Sequence, residues 1–225
     1  MSVELSYPNG RIRLIHPPPP SDDYNTHLLY THPHTLKHLP IWSLETQSLE
    51  KVASKRQART LDPDHFKEFV IHRIINITDT NSNPRTDHSV ARPPVFLGTV
   101  GFVYMQRHFD TSELGIVLQP DAHRCGYAAE AVYLLLDHGF TPEGEGGIGL
   151  NRVVFTTAAM NVPMRGWLEN ALGATQESML REAWKTGEGY IDAIGYSILR
   201  REWVRGVRAN LAARVDRAIS KSRES

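Results

Sequence analysis

Apolar and polar positions first alternate in Arg11–Ile15 (RIRLI), a two-residue period that predicts a strand between Pro8-Asn9-Gly10 and the run Pro17–Pro20. Four consecutive prolines cannot enter a sheet interior, so the strand stops there. Ser21 or Asp22 caps a predicted helix through about Tyr30, and a weaker helical stretch covers Leu44–Arg59. Branched residues return in Glu68–Ile77 (EFVIHRIINI), which reads as a strand. Thr78–Pro94 is polar, carries three prolines and has no apolar period; it reads as a long hairpin connection. Phe96–Gln106 and Glu113–Leu118 are two strands joined by a polar turn around Asp110. Ala128–Gly139 places Ala128, Ala131, Val132 and Leu135 on one helical face. A Gly-rich stretch, Thr141–Gly149, leads to a strand over Arg152–Thr157 and a helix over Pro163–Leu172 ended by Gly173. A last strand covers Ala193–Leu199. The order is β, α, α, a β-meander, then βαβαβ, a mixed α/β arrangement without internal repeats.

Beyond that strand, Trp203, Val207, Leu211, Val215 and Ile219 recur every four residues between arginines. This predicts a basic amphipathic helix over 204–225, appended to one domain over 1–203. Its stripe packs on its own domain or on a second copy, so a homodimer is a candidate partner, ahead of RNA. From Arg200 onward, eight basic residues face three acidic ones, a charge of +5. The whole chain has 25 of each sign, so the first 199 residues carry −5. That balance calls for neither nucleic acid nor a membrane surface as partner. No apolar run approaches the roughly 20 residues that span a bilayer. One cysteine, Cys125, excludes an internal disulfide framework and fits a reducing compartment; with no signal-peptide pattern at the N-terminus, the cytoplasm is the expected location.

The chemistry-bearing segment is Glu113–Ala131 (ELGIVLQPDAHRCGYAAEA), a strand, a turn opened by Pro120-Asp121, and a helix that follows directly. Such a junction aims several backbone N–H groups and the positive helix end at one point, an anion site. Gly126 and Ala128 keep side chains clear of an approaching diphosphate, and Arg124 can add a charge-assisted contact.

His123-Arg124-Cys125-Gly126-Tyr127-Ala128 resembles the Q/R-x-x-G-x-G/A loop of the GNAT superfamily of N-acetyltransferases, and in particular its Rim-type branch, which acts on ribosomal-protein N-termini. The preceding E-x-G-x-x-L-x-P strand, Glu130-Ala131, Asn151-Arg152-Val153, Leu168–Gly173, Leu180-Arg181-Glu182 and Gly195–Leu199 with Glu202-Trp203 resemble the same branch. The resemblance covers about residues 10–203. It implies the GNAT fold, a mixed and mostly antiparallel twisted sheet flanked by helices, with acetyl-CoA as acyl donor and no metal. It also implies that Ile116, Val117, Leu118, His123, Arg124, Cys125, Gly126, Tyr127, Ala128, Ala129 and Asn161 contact coenzyme A. Two positions depart from the pattern. His123 replaces the usual Arg or Gln, and Met164, which cannot donate a proton, stands where a serine is common.

Aminolysis of a thioester needs a neutral amine, and an amine of pKa about 8–10 is largely protonated at neutral pH. A carboxylate is therefore the expected base, and Glu113, at the start of the strand beside the cofactor arm, is the candidate. A backbone N–H near Val117 or Leu118 would hold the acetyl oxygen. Tyr127, Tyr190 and Tyr196 are candidate acids or acceptor-pocket residues, with Tyr196 preferred from its place in the last strand. Cys125 reads as structural filler, because direct transfer needs no enzyme nucleophile. His32, His34 and His38 lack the pattern of a tetrahedral metal set and read as surface or pocket rim. The expected function is acetyl transfer from acetyl-CoA to a primary amine, on a small molecule or a protein N-terminus. The alternative is a non-catalytic acyl-CoA-binding or regulatory module of the same fold.

Overall fold

In a computed structural model of the chain, which describes residues 2–74 and 94–224, eight strands form one sheet in the order β1-β2-β3-β4-β5-β6-β8-β7. The strands are β1 (Val3–Ser6), β2 (Ile12–His16), β3 (Lys67–Arg73), β4 (Val95–Gln106), β5 (Thr111–Leu118), β6 (Arg152–Ala158), β7 (Thr175–Thr186) and β8 (Gly189–Leu199). All neighbours run antiparallel except β5 and β6. The mixed, mostly antiparallel sheet flanked by helices agrees with the expected fold class. The predicted connection Thr78–Pro94 lies outside the described residues apart from Pro94, as does the end of the predicted strand at Ile77. Within them that strand stops at Arg73.

Helices α1 (Asp23–Thr31), α2 (Pro33–His38) and α3 (Leu49–Leu61) cover one face. Ser48 caps α3 by accepting the Lys51 N–H, so the helix starts five residues later than the predicted Leu44; a tight 3-10 segment, Pro40–Leu44, precedes it. Leu29, Tyr30 and Val52 from these helices pack on Val70 and Phe96 of the sheet, with Ile15, Trp42 and Val117 beside them.

The other face carries α4 (Tyr127–Phe140), α5 (Val162–Trp167, continued by a π-turn over Leu168–Leu172) and α7 (Arg208–Glu224); α6 (Arg200–Glu202) is a single turn before it. α4 is buried nearly all round because it lies between the sheet and α7: Ala131, Val132, Leu135 and Leu136 have no exposed surface. Truncating one such leucine to alanine typically costs about 2–5 kcal/mol. The chain breaks at Gly206, which is extended, and α7 then runs back along α4. Its Leu211, Val215 and Ile219 join the same core as Phe102, Phe155 and Tyr196, and Arg208 pairs with Asp137 at 2.8 Å. The stripe offered above to its own domain or a second copy is thus consumed within the chain. Among the described helices none is long and apolar enough to cross a membrane.

Candidate functional site

β5 and β6 are joined at three residue pairs, Thr111–Arg152, Ser112–Val153 and Glu113–Val154. Beyond them β5 stays on β4 as far as Leu118 and β6 stays on β8 as far as Ala158, so the two strands part and leave a notch in the middle of the sheet. Backbone direction alternates along β5. Gln119 donates its N–H to Leu97 on β4, so Val117 and Gly115 turn theirs the same way. Leu118 and Ile116 face the notch, as does the Leu118 carbonyl, which accepts His123 Nε2 at 3.1 Å. Of the two amides weighed for an acetyl oxygen, Leu118 is the one that opens into the gap.

The segment after β5 turns through Pro120–Ala122 and passes Arg124 (φ 60°) and Gly126 (φ 83°), both left-handed, into α4. The first intrahelical bond runs from Glu130 N–H to Gly126 carbonyl, so the Tyr127, Ala128 and Ala129 amides have no helical acceptor; Gly126 has no side chain to cap them. A donor cluster of this kind at a positive helix end suits a diphosphate. Gly126 is demanded by more than ligand approach: besides its φ, a Cβ there would lie 2.7 Å from Ala218 Cβ on α7. Cys125 is exposed and free.

A clamp holds this loop from below. Glu130, fully buried on α4, accepts the backbone N–H groups of Arg11 (2.7 Å) and Ile12 (3.1 Å) and the Arg11 Nε (3.2 Å). Arg11 Nη1 donates to the Cys125 carbonyl at 2.8 Å, and its guanidinium lies 4.7 Å from the centre of the Tyr127 ring. Neither Arg11 nor the inward role of Glu130 was found by sequence reasoning. Arg11 stands in an ordinary alternating strand, and its partner lies 119 positions away.

Glu113, Gly115 and Val117 share the α1–α3 face of the sheet. Burial raises the Glu113 carboxyl above its ordinary pKa, opposed by a hydrogen bond from the Thr156 side chain. A Cβ on Gly115 would meet nothing within 4 Å, so the strand surface beside Glu113 is open. Tyr196 is fully buried on the opposite face, in the core with α4 and α7. Its hydroxyl donates to Glu169 at 2.6 Å and accepts Arg165 Nε at 3.3 Å, and burial, followed by the Glu169 bond, raises its pKa. The structure therefore does not bring Tyr196 to Glu113.

Asn161 caps α5: Oδ1 accepts Met164 N–H at 3.3 Å while Nδ2 donates to Thr157 at 3.2 Å. Met164 packs partly into the core, and Tyr190 is exposed. His34 of α2 lies 5.1 Å from both His38 and His123, ring centre to ring centre, which ties the α1–α3 side to the loop. Among the described residues no group of three or more His, Cys, Asp or Glu could hold a metal ion.

Residues 13–174 match the family model described as "Acetyltransferase (GNAT) domain". An uncharacterized N-acetyltransferase, p20 of Bacillus licheniformis, is 33% identical over 107 residues, 48% of this chain and 57% of that protein. The chain thus spans somewhat over half the length of the curated relatives it matches. Among solved structures, Mycobacterium smegmatis RimJ in complex with CoA-disulfide superposes with a TM-score of 0.68 at 17% identity, covering 94% of this chain and 93% of that one. Spermidine N-acetyltransferase from Vibrio cholerae, in complex with CoA and spermine, gives 0.63 at 17% identity, covering 82% and 93%. At such identities the likeness is one of fold.

Proposed function

The chain belongs to the acetyltransferase (GNAT) family, and from that premise we propose that it transfers the acetyl group of acetyl-CoA to a primary amine. The observation that carries this reading is the notch: an opened β5–β6 seam with the Ile116 and Leu118 amides turned into it, beside the uncapped start of α4 and the half-buried carboxyl of Glu113. Acetyl-CoA, as the acyl donor, supplies a thioester whose C–S bond breaks as the amine nitrogen bonds the acetyl carbon. The residues present fit such a donor. The Tyr127, Ala128 and Ala129 amides, with Arg124 at the rim, would hold its diphosphate. The β5 amides that β6 leaves unpaired would hold the arm, and Leu118 N–H would face the acetyl oxygen. Glu113, ionised, takes the proton of an amine that approaches over Gly115, and its raised pKa brings it nearer that of the group it serves. Direct transfer needs no enzyme nucleophile, so Cys125 has no covalent role; Asn161, the expected coenzyme A contact, and Tyr196, the candidate acid, both have structural partners.

The finer place in the Rim-type branch rests on the loop and strand motifs, with the fold likeness to RimJ in support. A small-molecule amine and a protein N-terminus both fit the open strand surface. Calorimetric titration with acetyl-CoA, joined to thiol release against an amine panel, tests the proposal. Saturable binding with amine-dependent release is expected. Binding without release on any amine would favour the non-catalytic module, and no binding would overturn both.

A further inference from the structure

We propose that the recess between α1, α3 and the sheet binds the carboxylate end of the acceptor, with Lys55 as the recognising cation. The inference rests on the acetyl-transfer reading and names the substrate class it would serve: amines that carry a carboxylate. The recess is open to solvent and has a cavity volume of about 60 Å³, room for a small terminal group such as a carboxylate. Its floor is Glu68, Val70 and Thr99, on the same face as Glu113 and the open surface of Gly115. Thr99 is the cross-strand partner of Val117, and Val70 that of Thr99. The floor therefore lies one to two strands from β5, a lateral distance of about 5–10 Å. An acceptor with its amine beside Glu113 extends into the recess without leaving that face.

Pairing within the recess sets what that end must be. Arg56 engages Asp23 through Nε at 2.6 Å and Nη2 at 3.0 Å. Arg59 Nη1 donates to Glu68 at 2.9 Å, and the buried Tyr30 hydroxyl lies 3.2 Å from Thr99 Oγ1 and 3.4 Å from the same Glu68 oxygen. Asp22 accepts His72 Nε2 at 2.8 Å. Every recess carboxylate is thus engaged, which leaves none open for the second ammonium of a polyamine. Lys55 differs. Among the described residues its Nζ has the neutral Gln47 Oε1 at 3.2 Å and no carboxylate within ion-pair reach. Arg56 and Arg59 also keep N–H groups beyond those their carboxylates take. A carboxylate entering here completes the coordination of Lys55, as a charge-assisted hydrogen bond in a partly desolvated site.

The test is a matched panel on the full chain: ω-amino acids of graded length, the alkylamines that lack the carboxylate, and spermidine, all read by thiol release. The amino acids should be preferred by about tenfold or more in kcat/KM, and Lys55→Gln should collapse that ratio. Lys55→Glu should reverse it towards diamines. Equal use of the paired amines, preference for spermidine, or a ratio indifferent to Lys55→Gln would overturn the proposal. If acetyl-CoA binds but no amine releases thiol, the acetyl-transfer reading fails by itself. Calorimetry with the same amino acids then judges the recess, and binding that does not depend on Lys55, or no binding, overturns it.

Discussion

Glu113 and Tyr196 occupy opposite faces of the sheet, the carboxylate towards α1–α3 and the phenol in the core beneath α4 and α7. Substitutions can therefore separate their contributions. As the proposed base Glu113 must be ionised to accept a proton, so its raised pKa should move the acid limb of kcat/KM upward from the ordinary carboxylate range. Activity should rise with pH through that limb. Glu113→Gln should lose about a hundredfold at neutral pH and lack the limb, with acetyl-CoA affinity little changed. A mutant pH–rate profile that superposes on the wild type would remove Glu113 from the chemistry.

Tyr196→Phe deletes a hydroxyl committed to Glu169 and Arg165. Stability should fall by about 1 kcal/mol in urea melts while kcat stays close to wild type. A fall in kcat of about a hundredfold would instead place the hydroxyl in the reaction.

Arg11→Lys keeps the charge but cannot span both Glu130 and the Cys125 carbonyl, because an ammonium lacks the planar fork. The loop should lose its lower support. Acetyl-CoA Kd, measured well below the melting temperature, is expected to rise about tenfold, with kcat at saturating cofactor retained. An unchanged Kd in a destabilised protein would reduce the clamp to a fold element.

Gly126→Ala meets two obstacles, a left-handed backbone and the Ala218 methyl 2.7 Å away. The first is worth about 1–2 kcal/mol and the second about 1–3 kcal/mol. Adding Ala218→Gly should restore the steric part alone. A denaturation double-mutant cycle reads this, and strict additivity would show that the two positions do not meet.

His138 on α4 is held neutral: burial, then the charge of Lys67, lowers its pKa to about 4, and its Nε2 has no hydrogen-bond partner among the described residues. The unfolded chain binds that proton near pH 6.5, so it takes up protons before the folded one does. Stability should fall as pH drops from about 6.5 towards 4, by up to about 3 kcal/mol. In His138→Leu much of that slope should vanish from urea melts compared at neutral and mildly acidic pH.

The central elements were legible because burial on one face imposes a period. Arg11–Ile15 and Glu113–Leu118 show it, and β2 and β5 lie within a residue or two of the expected bounds. β7 was not legible. Its Thr175–Thr186 run (TQESMLREAWKT) is an outer strand exposed along most of its length, so no apolar alternation marks it. β1, four residues at the other edge, does alternate (Val3 and Leu5 pack on the core), but two apolar positions are too few to mark a period. The turn at Gly126 between β5 and α4 could be read from the sequence, since its features are local. The clamp, the face occupied by Tyr196 and the recess could not, because each depends on residues brought together from distant segments.

Among the described residues, three strand pairs join the β1–β5 half of the sheet to the β6–β8 half, with the Asp110 carbonyl accepting the Asn151 and Arg152 N–H groups just beside them. The gauge of the opening between them is consequently a property of packing. It is set by the one continuous apolar mass that joins Phe102 on one side to Phe155 and Ile194 on the other through Leu135 and Leu211. A methylene removed from that mass would let the halves drift, and one added would force them apart. Fit to the acyl donor is therefore tunable from positions that never touch it.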